Sequence, residues 1–182
     1  LRCIQETVKV IRQAISEVGG NPDLVSCISI PTRQATETLM QHPDTAMILA
    51  TGGSAMVRAA YSSGNPAIGV GPGNGPAFID KSADLALAVK RILDSKTFDN
   101  GTICASEQSI ICEEDYAPAV RAEFEKQGAY FLNDEESAKL SKFILRANGT
   151  MNPQIVGKSV QTIANLAGLK VPAGARVLVA KE

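Results

Sequence analysis

Short, largely apolar runs that alternate with helical segments constrain the fold of this chain more than any other feature. Three runs in its first part have the length of short strands: residues 25–30, 46–50 and 67–70. Helical spacing of apolar residues or a capping residue marks the segments between and before them: residues 1–18, 32–42 and 55–61. Alternation of this kind is typical of a parallel α/β sheet, and strands covered on both faces are apolar throughout.

The cluster Gly71-Pro72-Gly73-Asn74-Gly75-Pro76 interrupts this alternation. Glycine and proline at this density do not hold regular structure, so the cluster predicts a domain boundary. Beyond it the alternation resumes, with strands predicted at 77–80, 109–112, 130–132 and 176–180 and helices starting at Ser82 or Asp84 and covering 116–127, 134–145 and 159–167. We therefore expect two domains, residues 1–73 and residues 74–182.

Charge and composition argue against several classes of function. Lys and Arg number 18 against 19 Asp and Glu, which weakens the case for nucleic acid or an anionic membrane as partner. No apolar run approaches the roughly 18 residues of a membrane span. The four cysteines lack CxxC spacing and there is one histidine, so we expect no metal site. Free thiols fit the reducing cytoplasm, where we place the protein.

Two glycine-rich segments are candidates for ligand contact. Thr51-Gly52-Gly53-Ser54 follows a predicted buried strand and precedes a helix, where a ligand can approach the backbone and the helix N-terminus favours negative charge. A tight strand-to-helix turn explains the same residues equally well, and they form neither a GxGxxG motif nor a P-loop. The second segment, residues 69–74, reads by itself as a linker.

The segment 99–108 has the most distinctive chemistry. Cys104 follows a polar glycine turn and precedes a predicted strand, a position that can expose a thiol and direct backbone N–H groups towards it. Such groups lower a thiol pKa and can hold an oxyanion. A buried, inert cysteine remains the alternative, and we expect packing roles for Cys3, Cys27 and Cys112. His42 is expected at a helix end rather than as a general base.

Four stretches carry a resemblance to a known family: residues 50–57, 59–64, 69–74 and 96–108. They closely resemble the CoA-acylating aldehyde dehydrogenases, most of all the aldehyde dehydrogenase half of bifunctional aldehyde–alcohol dehydrogenases and the stand-alone acylating enzymes. The resemblance runs over essentially the whole chain. It implies an α/β, aldehyde dehydrogenase-like fold, with residues 1–73 as the C-terminal part of a Rossmann-like NAD-binding domain and residues 74–182 as the N-terminal part of the catalytic domain.

The resemblance also implies an activity and its residues. It makes Cys104 the nucleophile of an oxidoreductase that interconverts an aldehyde and acyl-CoA through a cysteine thioester, with NAD as cofactor and coenzyme A as co-substrate. Thr51, Gly52 and Gly53 match the NAD-binding loop, and Gly71 lies where the backbone lines the cofactor. The expected partners are a small aldehyde and CoA, in a homo-oligomer and in the context of a bacterial microcompartment or a filament.

One difference separates the acylating branch from hydrolytic aldehyde dehydrogenases. The hydrolytic enzymes carry a glutamate general base at the place of Gly69-Val70-Gly71, and this chain has no carboxylate there. Without a base that activates water, the acyl group is kept for the thiol of CoA. A hydrolytic aldehyde dehydrogenase fragment and a non-catalytic α/β module that binds a nucleotide or serves assembly are the alternatives.

Overall fold

The computed structural model describes residues 2–71 and 73–181, which form two compact units divided between residues 72 and 73. The first unit contains helices α1 (Arg2–Glu17), α2 (Arg33–Gln41) and α3 (Ser54–Tyr61) and strands β1 (Ile48–Thr51) and β2 (Ala67–Val70). The second contains helices α4 (Leu85–Thr97), α5 (Ala117–Lys126), α6 (Asp134–Ile144) and α7 (Val160–Leu166) and strands β3 (Pro76–Phe78), β4 (Ser109–Ile111), β5 (Ala129–Phe131) and β6 (Val177–Val179).

In the first unit, β1 and β2 are parallel neighbours, and their register pairs Ile48 with Ala67 and Thr51 with Val70. Helix α3 connects them and buries Ala60 completely against β1. Helix α2 begins as predicted, because the Thr32 side chain accepts a hydrogen bond from the Ala35 N–H at 3.1 Å. The unit is therefore a strand–helix–strand crossover with a small apolar core.

The strand predicted at residues 25–30 is wrong: this segment is irregular apart from a short 3₁₀ turn before it, at Pro22–Leu24. Side chains of α1 bind its carbonyl groups instead. Arg12 Nη1 donates to Val25 O at 3.0 Å and Gln5 Nε2 donates to Ser29 O at 3.5 Å. No strand within the described residues pairs with the segment. A short apolar run becomes a strand only when a neighbouring strand forms hydrogen bonds with its backbone N–H and C=O groups.

The second unit has two parallel strand pairs, β3 with β4 and β5 with β6. Helices α4 and α5 cover its larger core, in which Val89, Leu93 and Phe124 are almost fully buried. The helices begin where the sequence predicts. The Asp84 side chain caps α4, and Asn133 with Glu136 forms a capping box at the acidic first turn of α6.

The predicted α/β fold is confirmed: β2 and β5 have the predicted length, and the other four strands are one to two residues shorter than the apolar runs suggest. Across the two described ranges, every strand pairing joins strands of the same unit, and β3 begins at Pro76, the last residue of the glycine–proline cluster. Among the helices described, none has the length and apolar content needed to cross a membrane.

Candidate active site

Cys104 lies in the loop between α4 and β4 and is exposed to solvent. It is one of the two central residues of a tight turn from Ile103 to Ser106. The Ser106 N–H donates to Ile103 O at 3.4 Å and its hydroxyl donates to the same oxygen at 3.0 Å. Ser106 is only 1% exposed, so the turn is anchored by a serine buried in the protein interior. The exposure of Cys104 argues against the alternative of a buried cysteine.

A left-handed stretch precedes this turn. Asp99, Asn100 and Gly101 have φ values of 49°, 52° and 73°. Residues other than glycine rarely adopt this conformation, but Asp and Asn do so more readily than most. Thr102 Oγ1 donates to Asp99 Oδ2 at 2.6 Å, and Asn100 Nδ2 donates to Gly157 O at 3.1 Å. The predicted turn at 98–101 is present, and side-chain bonds hold it in this left-handed conformation.

Gly75 supports the Cys104 loop from the other side. Its carbonyl accepts a hydrogen bond from the Gln108 N–H at 2.8 Å. A Cβ at this position would lie 3.1 Å from Ser106 O, closer than ordinary van der Waals contact. Sequence reasoning treated this glycine only as part of a boundary, because the residues it contacts, Ser106 and Gln108, lie 31 and 33 residues further along the chain.

Lys96, Glu107 and Gln108 form a polar group at the base of the loop that sequence reasoning missed. The half-buried Lys96 donates from Nζ to Gln108 Oε1 at 2.7 Å. Burial lowers the pKa of Lys96, and the charge of Glu107 opposes that shift. Glu107 Oε2 is buried, and no hydrogen-bond partner for it is found among residues 2–71 and 73–181. The sequence places these residues near Cys104 in the chain but does not show that they meet.

The structure brings the four predicted NAD-binding residues to one edge of the β1–β2 pair. Because the strands are parallel and Thr51 pairs with Val70, Gly52 and Gly71 follow the strands at the same carboxyl edge. The Gly52 N–H donates to Val70 O at 3.1 Å. This edge is where open α/β sheets bind their ligands.

The same edge fits the phosphate groups of a dinucleotide. Gly53 is the N-cap of α3 and makes no side-chain cap bond, so N–H groups of the first turn face outward from the strand end. A Cβ on Gly53 or Gly71 would meet no atom within 4 Å, which leaves open space beside the backbone. At Gly52 a Cβ would lie 3.1 Å from Met56 Sδ, so glycine there allows α3 to start close to the strand.

Gly69 has a packing role. A Cβ there would lie 2.5 Å from Val57 Cγ1 and 2.8 Å from Tyr61 Cε2, and the Gly69 N–H donates to the Tyr61 hydroxyl at 2.9 Å. Helix α3 therefore packs directly on the backbone of β2. Val70, whose side chain points to the opposite face, is half exposed.

The remaining candidate residues, Cys3, Cys112 and His42, have other surroundings. Cys3 is exposed on α1, so the packing role predicted for it is wrong, whereas Cys112 packs against the larger core as expected. His42 ends α2, and its Nδ1 accepts a hydrogen bond from the Asp44 N–H at 3.2 Å. Within the described part of the chain, no three Cys, His, Asp or Glu side chains are arranged to hold a metal ion.

Comparison with known proteins places this geometry in a family. The aldehyde dehydrogenase family matches residues 6–181. The chain belongs to the aldehyde dehydrogenase family. It is 47% identical over 170 residues to the bifunctional aldehyde-alcohol dehydrogenase AdhE of Escherichia coli K12, an alignment that covers 93% of this chain and 19% of that protein.

Solved structures of this family share the fold. A probable aldehyde dehydrogenase from Listeria monocytogenes EGD-e is 66% identical with a TM-score of 0.94, and the match covers 100% of this chain and 40% of that one. A propionaldehyde dehydrogenase from Rhodopseudomonas palustris, solved with bound CoA and an acylated cysteine, is 32% identical with a TM-score of 0.82 over 93% of this chain and 39% of that one. This aldehyde dehydrogenase chain thus spans less than half the length of its relatives.

Proposed function

We propose that the whole protein containing this chain is an NAD-dependent, CoA-acylating aldehyde dehydrogenase. Residues 1–73 belong to its NAD-binding domain and residues 74–182 to its catalytic domain. The observation that carries the proposal is the exposed Cys104 at the centre of an anchored turn. The proposal is also supported by the similarity of this chain to a propionaldehyde dehydrogenase solved with bound CoA and an acylated cysteine.

Cys104 acts as the nucleophile. Its thiolate adds to the aldehyde carbonyl carbon, forming a carbon–sulfur bond and placing negative charge on the oxygen. Backbone N–H groups of the turn stabilise that charge. Within the described residues, the N–H groups of Cys104 and Ala105 donate to no protein acceptor and are free to do so. One such donor contributes about 10²–10³-fold to a rate.

Thr51, Gly52, Gly53 and Gly71 hold the dinucleotide at the carboxyl edge of β1 and β2. NAD⁺, when bound, supplies the acceptor for the hydride of the aldehyde carbon. Cys104 then carries the acyl group as a thioester. CoA loses its thiol proton to solvent and attacks the thioester carbonyl as the thiolate, the bond to Cys104 breaks, and the Cys104 thiolate is restored as acyl-CoA leaves. The same residues serve the reverse reaction.

The decisive experiment compares wild type, Cys104→Ala and Cys3→Ala in the full-length protein. Cys3 is the matched control because it is also exposed. We expect NADH formation from aldehyde to depend on CoA, to be lost in Cys104→Ala and to be kept in Cys3→Ala. Binding of NAD, followed by quenching of NADH fluorescence, should be the same in all three because the thiol is used only in the covalent steps.

Each alternative has its own outcome in that experiment. Equal NADH formation with and without CoA, with free acid as product, would assign the protein to the hydrolytic enzymes. NAD binding without turnover in the wild type would support a non-catalytic module. Turnover of Cys104→Ala at the wild-type rate would remove Cys104 from the mechanism.

The wider setting is also a proposal. We propose that the substrate is a small aldehyde, that the enzyme is a cytoplasmic homo-oligomer, and that it works in a microcompartment or a filament. Sedimentation of the full-length protein tests the oligomer, since a species with the mass of one polypeptide would contradict it.

A further inference from the structure

A hydrogen bond between two side chains, Lys96 and Gln108, connects the two ends of the loop that carries Cys104. Lys96 lies in the last turn of α4, and Gln108 directly precedes β4. The bond from Lys96 Nζ to Gln108 Oε1, at 2.7 Å, therefore closes the base of the segment 97–107. The Gln108 backbone is itself fixed by its bond to Gly75 O at 2.8 Å. A displacement of Lys96 would be passed to the residue two positions after the Ser106 anchor.

The Lys96 side chain reaches Gln108 by passing beside Gly101. A Cβ on Gly101 would lie 3.7 Å from Lys96 Cε and 3.9 Å from its Nζ. Gly101 also has a φ of 73°, which other residues rarely adopt. The left-handed stretch before Cys104 thus places Gly101 beside the end of the Lys96 side chain.

The charges of Lys96 and Glu107 also favour the position of Lys96 beside the loop. Of the groups around Lys96, Glu107 is the one whose charge acts on it, and its buried Oε2 lacks a protein partner within the described ranges. A buried carboxylate is costly unless a cation is close. The charge of Lys96 therefore offsets part of the cost of burying that oxygen. Desolvation lowers the pKa of Lys96, as expected for an ammonium group that is partly removed from water.

We propose that Lys96 is a positioning residue, which holds the Cys104 turn in its reactive arrangement through its bond to Gln108 and its charge opposite Glu107. This inference rests on the proposed role of Cys104 as nucleophile. Lys96 acts through the loop, since its own donor bond is made to Gln108.

The test uses the full-length enzyme with four variants. Lys96→Met removes the charge and the donor at similar length, and Lys96→Arg keeps the charge. Gln108→Leu removes the acceptor of Lys96 and with it the bond from Gln108 Nε2 to Ser106 O at 3.5 Å. Lys90→Met is the matched control, because Lys90 lies on the same helix and pairs on the surface with Asp94. Each variant is assayed for kcat, for KM of NAD⁺ and for the rate at which iodoacetamide alkylates Cys104, with Cys3 as reference in the same sample.

We expect Lys96→Met to lower kcat by about 10²-fold, the effect of a displacement of about 1 Å at a reacting group. KM for NAD⁺ should stay unchanged, the ratio of Cys104 to Cys3 alkylation should fall, and Lys96→Arg should recover most of the loss. If Lys96→Met does not fold, Gln108→Leu must show the same loss of kcat.

Two outcomes would overturn the inference. One is a kcat for Lys96→Met equal to that of Lys90→Met. The other is a loss that Lys96→Arg does not reduce although all variants melt at the same temperature. Cys104→Ala separates this failure from that of the proposed function: an inactive Cys104→Ala beside a fully active Lys96→Met refutes only the role of Lys96.

Discussion

Replacing Gly75 by alanine tests whether the backbone beneath Cys104 controls catalysis. The added Cβ would lie 3.1 Å from Ser106 O, and ordinary contact begins at 3.4 Å, so Ser106 must move by the difference, about 0.3 Å. Ser106 closes the Cys104 turn through both its N–H and its hydroxyl. The displacement is therefore passed to the Cys104 turn through Ser106.

The size of the effect follows from that displacement. If a shift of 1 Å at a reacting group costs about 10²-fold, a shift of 0.3 Å costs about fourfold on the same logarithmic scale. Stability should change little, because alanine also restricts the unfolded chain and thereby contributes about 0.4–1 kcal/mol. We expect a kcat reduced about fourfold in a protein that melts close to the wild-type temperature.

Gly73→Ala is the matched control for Gly75→Ala. It makes the same change two residues earlier, where a Cβ would meet no atom within 4 Å. Neither glycine has a positive φ, so backbone strain does not separate them. The assay is kcat for CoA-dependent NADH formation in the full-length enzyme, with thermal melting of each variant. If both variants have the wild-type kcat, the coupling from Gly75 through Ser106 to Cys104 is refuted.

Two further predictions concern other parts of the chain. Val70→Glu places a carboxylate in the segment 69–71, where the resemblance implies that hydrolytic aldehyde dehydrogenases carry a general base. Free-acid formation without CoA should then rise by about 10²-fold, the lower end for a positioned base. Ile68→Glu, on the same strand face, should not change it. Product analysis would contradict this if both variants behave alike. Hydrogen bonds from Lys90 and Arg176 lower the pKa of Asp94, so the stability it contributes is present at neutral pH and lost as the pH falls below about 4. Urea unfolding at pH 7 and pH 3 checks this, since Asp94→Asn should weaken the loss in acid, and an unchanged loss would contradict it.

Local signals predict most of the helices and strands. Thr32, Asp84 and Asn133 cap helices at the positions their side chains suggest. These residues act within one turn, so the sequence contains the whole interaction. The strand prediction for residues 25–30 is wrong because strand formation depends on a partner strand. Arg12 and Gln5 of α1 bind two carbonyl groups of this segment instead.

In the candidate site too, features that depend on neighbouring residues can be predicted, and features that depend on other segments cannot. The location of Cys104 after a glycine turn, and of Thr51, Gly52 and Gly53 after a strand, can be predicted because each motif is continuous. The left-handed shape of the turn at Asp99 and its neighbours is a property of those residues and was predicted only as a turn. The contact of Gly75 with Ser106 was missed because the two lie far apart in the chain, and the bond from Lys96 to Gln108 because it spans 12 residues, beyond the reach of a local pattern.

The exposure of Cys104 is set by what lies beneath it. A cysteine is by default among the most buried residues, and nothing in the side chain itself favours solvent. Here Ser106 is drawn inward by its two bonds to Ile103, and the loop ends are closed by the bond from Lys96 to Gln108. With Ser106 buried and the loop ends joined, the central turn residues Cys104 and Ala105 lie on the solvent side. The reactivity we propose for the thiol therefore depends on packing below the loop, and variants there should alter Cys104 without touching it.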